Sequence, residues 1–152
     1  MKNAATATVG FDAGTLGKGR KRLVLTHTLG NVLASRVVPA HVHEGAAGIC
    51  FWDEVAATHD LLGQVQGVFV DSTFHGAFRH HLAQRYAIRV EKPAQVVVEK
   101  STFCLHAWRW MVERTLAWLS ANRRLSKEYD RSLPHANAWI TIANIRRVLK
   151  FC

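Results

Sequence analysis

The feature that most limits what this chain can fold into is a short apolar run, Val65 to Val70, that stops at Asp71. The run is β-branched and interrupted only by Gln66 and Gly67, which is how a strand buried on both faces reads. Helical spacing follows from about Gly76 to Tyr86, and a second strand-like run lies near Ile88 to Val90. Strand, helix and strand in that order form a β-α-β unit, which calls for a parallel pair and puts the chain in the α/β class. Asp71 then stands at the carboxyl end of the first strand, the edge where open α/β sheets hold ligands. A charged group there must be solvated, paired or bound to a metal. Judged on its own, a strand-end aspartate is more often a loop cap than a ligand.

The remaining elements arrange themselves around that unit. The opening segment, to about Lys18, is rich in Ala, Thr and Gly and favours loop. Arg22 to His27 and Val32 to Val38 read as a hairpin around Leu29-Gly30-Asn31, and Pro39 ends its second strand. Ala46 to Thr58 shows helical spacing through Ile49, Phe51, Trp52 and Val55. After Pro93 and a Val96-Val97-Val98 run comes the longest helix, about Thr102 to Asn122, with an apolar stripe of Leu105, Trp108, Met111, Val112, Thr115, Leu116 and Leu119. A final helix, about Ala136 to Leu149, is expected to turn Trp139, Ile142, Ile145 and Val148 inward. It carries Arg146, Arg147 and Lys150 at its end, where cations suit the helix dipole. With 152 residues, 49% apolar and 20% charged, this suits one domain with a proper core.

Charge narrows the partners. The chain carries +9, and the excess sits at both ends: six Lys/Arg against one acid from Met1 to Arg36, five against seven to Lys100, then nine against three to Cys152. Two basic ends suit a polyanion held with steeply salt-dependent affinity. A basic protein kept soluble by its charge fits as well. Cys50, Cys104 and Cys152 are scattered and in no C-x-x-C pair, so reduced thiols in a cytoplasmic protein are expected. No apolar run approaches the roughly 18 residues of a membrane span. Phosphate-loop, nucleophile-elbow and dinucleotide fingerprints do not occur. His41-x-His43-Glu44 places two imidazoles near each other without a third ligand by spacing, so a zinc site is not indicated. Trp110 and Trp118, off the main stripe of the long helix, could stack on a base or on arginine.

Two further stretches resemble a known family. WRWMVERTLAWLSANRRLSKEYD is similar to the third-carboxylate region of bacterial insertion-sequence transposases of the DDE type, and FDAGTLGKGRKRLVLTHTLGNVLASRVVPAHV to the segment after their first carboxylate. The resemblance covers essentially the whole chain and implies an RNase H-like fold, a mixed sheet with flanking helices. It implies Asp71 as the second carboxylate, followed by Phe74 and Gly76 of the family's Gly-aromatic-x-Gly pattern, with Ser72 and Thr73 where glycines often stand. It implies Glu113 as the third, preceded four residues earlier by Arg109. Taken by itself, that Arg-Glu pair is an ordinary helix-surface ion pair. The family lysine two turns later is replaced by Ser120, which leaves Arg123, Arg124 or Lys127 for phosphate contact. The basic cluster Lys18, Arg20, Lys21 and Arg22 and the helix arginines Arg109 and Arg114 complete the implied DNA-contacting set.

The implied chemistry is in-line attack on DNA phosphodiesters at element ends and target DNA, assisted by Mg2+ or Mn2+ held between carboxylates. A second copy or a full-length transposase would be the protein partner. In the family the first catalytic aspartate precedes the point where this sequence begins, and Asp12 is not in its context. The expectation is therefore an N-terminally truncated core that lacks its first central strand, with two halves of a sheet presenting unpaired edges and no activity alone. A noncatalytic DNA-binding or dimerising fragment that modulates a full-length relative is the main alternative. An unrelated metal-dependent nuclease using Asp71, Glu113 and His43 ranks last.

Overall fold

The structure, a computed structural model, describes residues 8–12, 14, 16–58, 60–74, 76–92, 107–127 and 129–150. It is mixed α/β, with helices flanking small sheets. The chain divides into two compact units, Met1–His43 with Val112–Cys152, and Glu44–Met111. Among the described residues the strands likewise sort into two sheets, one antiparallel and one parallel.

The first unit is built on an antiparallel sheet of β1 (Gly10–Asp12), β2 (Gly17–Thr26) and β3 (Val32–Pro39), with β2 in the middle. β1 lies in the opening segment that its glycines marked as loop. It pairs Gly10 with Gly19 and Asp12 with Gly17, so these glycines sit within a small hairpin. β2 and β3 pair from Arg20 opposite Pro39 to Leu25 opposite Ala34, and the register shifts between Leu25 and Thr26. The expected turn closes them. His27 N–H donates to the Asn31 carbonyl at 2.8 Å, Gly30 N–H donates to the His27 carbonyl at 2.7 Å, and Gly30 adopts φ 84, which glycine takes without steric cost.

Three helices belong to this sheet's core. They are α3 (Ala107–Ser120) from Val112 onward, α4 (Arg123–Ser126) and α5 (Leu133–Leu149). Val37, Leu119, Leu125, Ala136, Ile140 and Ala143 form the buried cluster, with Val32, Leu133 and Trp139 packed against it. The amide of Asn122 ends α3 by donating to the carbonyls of Trp118 and Leu119, both at 3.1 Å, which satisfies acceptors a helix end leaves open. α5 starts three residues before the expected point, since Ser132 accepts the His135 N–H as an N-cap and Pro134 fits the first turn.

The face that α5 turns to β3 differs from the expected one. Ala136, Ile140 and Ala143 are buried, whereas Ile142 and Ile145 are half exposed and Val148 is 38% exposed. Of the four residues expected inward, only Trp139 packs on the core. Small alanines let the helix approach the strand, and the same face carries Asn137, Asn144 and Arg147, whose polar groups find partners there. The Asn137 Oδ1 accepts from Ser35 Oγ at 2.8 Å. Asn144 holds both backbone groups of Val32, accepting its N–H at 3.2 Å and donating to its carbonyl at 2.9 Å.

The second unit contains α1 (Glu44–Thr58), β4 (Gly67–Phe69), α2 (Ala77–Tyr86) and β5 (Arg89–Glu91), with short 3-10 turns at Asp60–Gln64 and Ser72–Phe74. β4 and β5 run parallel, Gly67 opposite Arg89 and Phe69 opposite Glu91, as the β-α-β reading requires. β4 is shorter than expected and not buried on both faces: Phe69 is 43% exposed, because among the described residues the strand has one neighbour. The core lies between the helices and β5, where Phe51, Trp52, Val55, Phe78, Leu82, Ile88 and Val90 are buried. Trp52 meets Phe78 edge-on at 6.5 Å, and Phe78 meets Phe74 at 5.5 Å. Gly48 makes room for those rings, since a Cβ there would lie 2.8 Å from Phe74.

Candidate functional site

Asp71 follows β4 directly. The ladder continues one residue past the strand, through Val70 N–H to the Glu91 carbonyl at 3.0 Å, and Asp71 is the next residue. Its carbonyl accepts the Phe74 N–H at 3.1 Å and starts the Ser72–Phe74 turn, while its side chain is exposed. Glu113 is exposed on α3. Asp71 belongs to the second compact unit and Glu113 to the first. Among the described residues no three His, Cys, Asp or Glu side chains come together to hold a metal ion. The Val96–Val98 run, Leu105, Cys104 and Cys152 lie outside the described residues, as do the side chains of Trp108 and Arg109.

The expected DNA-contacting residues separate into two groups. In the first, the cation has a structural partner within its own unit. Arg20 donates through Nε to the Thr8 carbonyl at 3.1 Å and through Nη2 to the Arg131 carbonyl at 3.3 Å. Arg22 donates to the Leu125 carbonyl at 2.9 Å, tying β2 to α4. Lys21 pairs with Asp12 at 3.7 Å. Arg114 donates to the Leu29 carbonyl at 3.1 Å. In the second group Lys18, Arg123, Arg124 and Lys127 are exposed. Sequence alone does not separate these groups, because the partners are carbonyls and side chains brought in by the fold.

Arg114 and Arg147 form a clamp on the hairpin turn. Their guanidinium carbons lie 4.6 and 4.4 Å from the Trp118 ring centre, so Trp118 stacks on arginine, one of the two roles open to it. Arg147 reaches the Gly30 carbonyl at 3.1 Å and the Asn31 side chain, and the buried Thr115 hydroxyl donates to the same Gly30 carbonyl at 2.9 Å. Burial, and then the charge of Arg114, lower the pKa of Arg147.

Two constellations have no counterpart in the sequence reading. In the second unit the Asp53 Oδ1 accepts from His81 Nε2 at 2.8 Å and from the Tyr86 hydroxyl at 2.7 Å. Burial by itself would raise the Asp53 carboxyl; the hydrogen bonds from His81 and Tyr86 and the charges of His81 and Arg85 outweigh it and hold the group below its ordinary value. Burial and the neighbouring Asp53 push the Tyr86 phenol up. In the first unit Arg123, Arg124 and Tyr129 line an open recess of about 300 Å³. Arg124 lies 5.4 Å from the Trp139 ring centre, and Tyr129 is 37% exposed. The RRLSKEYD string contains all three lining residues, but their convergence depends on the break between α4 and α5. Another recess, of about 290 Å³ beside β5, is lined by Arg79, Ile88, Arg89, Val90 and Glu91 and does not include Asp71.

Compared with known proteins, the chain matches no family model, no curated protein and no solved structure. Among the described residues no helix is long and apolar enough to cross a membrane.

Proposed function

We propose that this chain contributes to a DDE-type transposase catalytic core, RNase H-like in arrangement, and engages DNA through its basic residues. The observation that carries the reading is Asp71 immediately beyond the first strand of a parallel β-α-β unit that follows an antiparallel hairpin, with Glu113 exposed on the next long helix. The exposed cations Lys18, Arg123, Arg124 and Lys127 and the +9 charge support a DNA partner.

By the resemblance, Asp71 and Glu113 each stand at a carboxylate position of the family, whose Mg2+ or Mn2+ would supply charge neutralisation at a phosphoryl oxygen. No cleavage step is assigned to this chain. Its own residues do the binding: Lys and Arg neutralise phosphates and release counterions, a term that makes affinity fall as salt rises.

Anisotropy titration of a fluorescent duplex tests the reading. Binding should be measurable at roughly 0.1 M salt and weaken log-linearly with salt. Absence of binding at that salt refutes DNA engagement. A noncatalytic fragment that pairs with another copy is the second reading. It is favoured by Ile142, Ile145 and Leu149, all at least half exposed on α5. A single monomeric species in sedimentation at micromolar concentration would remove it.

A further inference from the structure

Resting on the proposed DNA engagement, we infer that the recess between α4 and α5 holds one unpaired nucleotide of a DNA strand, with its phosphate on Arg123 and Arg124 and its base against Tyr129. Three observations converge on it. The volume, about 300 Å³, lies at the lower end of ligand-sized pockets and suits one nucleotide rather than a duplex groove. Among the described residues its lining is two guanidiniums and one phenol ring, a phosphate-binding pair beside a flat stacking surface. The third is the way Arg124 is held. Its guanidinium carbon lies 5.4 Å from the Trp139 ring centre, within cation–π range, and a guanidinium in such a contact can still offer N–H donors to a phosphate.

Among the described residues of this stretch, Lys127 and Arg131 outnumber the acid Asp130. Lys127 is exposed on the same stretch, and Arg146 reaches Asn122, the residue before α4, at 3.4 Å. No carboxylate lines the recess among the described residues. A duplex would present only its phosphates here, since its bases are stacked inward. A frayed end, an overhang or a nicked strand supplies both phosphate and base. The recess therefore distinguishes unpaired from paired DNA, which the exposed cations alone do not.

The test compares two fluorescein-labelled probes, a blunt duplex and the same duplex with a short 3′ thymidine overhang, on the full chain. Tyr129→Leu removes the ring without changing charge, Tyr129→Phe keeps the ring, and Arg123→Gln removes a cation that is not stacked on Trp139. Tyr129→Leu should weaken overhang binding about 5- to 150-fold, from a stacking contribution of roughly 1–3 kcal/mol, and leave the blunt duplex within about twofold. Tyr129→Phe should bind both probes like the original chain. Arg123→Gln should weaken the overhang probe more than the blunt one.

Equal losses on both probes for Tyr129→Leu, or no loss on the overhang, overturn the inference. Should that variant fail to fold, photo-crosslinking of 5-bromodeoxyuridine in the overhang to the original chain decides. Attachment at Tyr129 supports the site, and attachment only elsewhere ends it. If the original chain binds the blunt duplex with no overhang preference, this inference fails while DNA engagement stands. If it binds neither probe, both fail.

Discussion

Replacing Thr115 with valine keeps the shape and β-branching of the side chain but deletes the hydroxyl that donates to the Gly30 carbonyl at 2.9 Å. Thr115 is 1% exposed, so water cannot substitute for the lost donor at low cost. Gly30 nevertheless keeps a second donor, Arg147 Nη2 at 3.1 Å. The single change should therefore cost about 1 kcal/mol, the net worth of one hydrogen bond, rather than the larger penalty of an orphaned buried acceptor.

Arg147→Met removes the other donor and the stack on Trp118, at a cost of about 1–2 kcal/mol. In the double variant neither side chain reaches the Gly30 carbonyl, so the combined loss should exceed the sum of the singles by about 1 kcal/mol. Urea unfolding followed by far-ultraviolet circular dichroism reads this as a midpoint lowered by about 0.3–1 M for Thr115→Val with an unchanged slope. If the double variant is additive to within about 0.3 kcal/mol, the two side chains do not share the turn and the clamp is refuted.

Asn144→Ala removes both bonds to the Val32 backbone and should cost about 2 kcal/mol; Asn144→Asp, which keeps an acceptor but loses the donor to the Val32 carbonyl, should not restore it, and equal midpoints in urea for Asn144→Ala and the original chain would contradict this. Asp53 has a folded pKa below its ordinary 3.8, so its network contributes fully above that pH and is lost as pH falls through the folded value. The stability advantage of the original chain over Asp53→Asn should accordingly shrink as pH falls below about 4. A constant difference across that range counts against the network. Gly48→Ala forces its methyl to within 2.8 Å of Phe74 and should destabilise by about 1–3 kcal/mol despite alanine's better helix propensity. A raised melting temperature for this variant would show that the aromatic packing can yield.

Much of the element order was readable because it rests on local rules. The turn at Leu29-Gly30-Asn31 needs a residue at positive φ, and Gly30 supplies it. The period change from Val65–Val70 to the following helix marks a parallel β-α-β unit, so the position of Asp71 at a strand end followed from neighbours in the chain. The same rules misjudged the segment before Lys18, of which Gly10 to Asp12 pair as β1 once β2 is beside them.

Sidedness and pairing were set at longer range. Apolar periodicity on α5 favours Ile142, Ile145 and Val148 as the inner face, yet Ala136, Ile140 and Ala143 are inside. The deciding groups are over a hundred positions away in sequence: the Val32 backbone that Asn144 satisfies, and the Gly30 carbonyl that Arg147 reaches. Likewise Arg20, Arg22 and Arg114 look like surface cations until the carbonyls of Thr8, Leu125 and Leu29 come within reach, while Arg123 and Arg124 stay exposed and converge with Tyr129. Residue order alone determines which segments can be strand, turn or helix, since each answers to dihedral preference and hydrophobic period. Only tertiary structure decides which face is buried and which charges remain for a partner, since each buried backbone group takes whatever donor or acceptor the packing supplies.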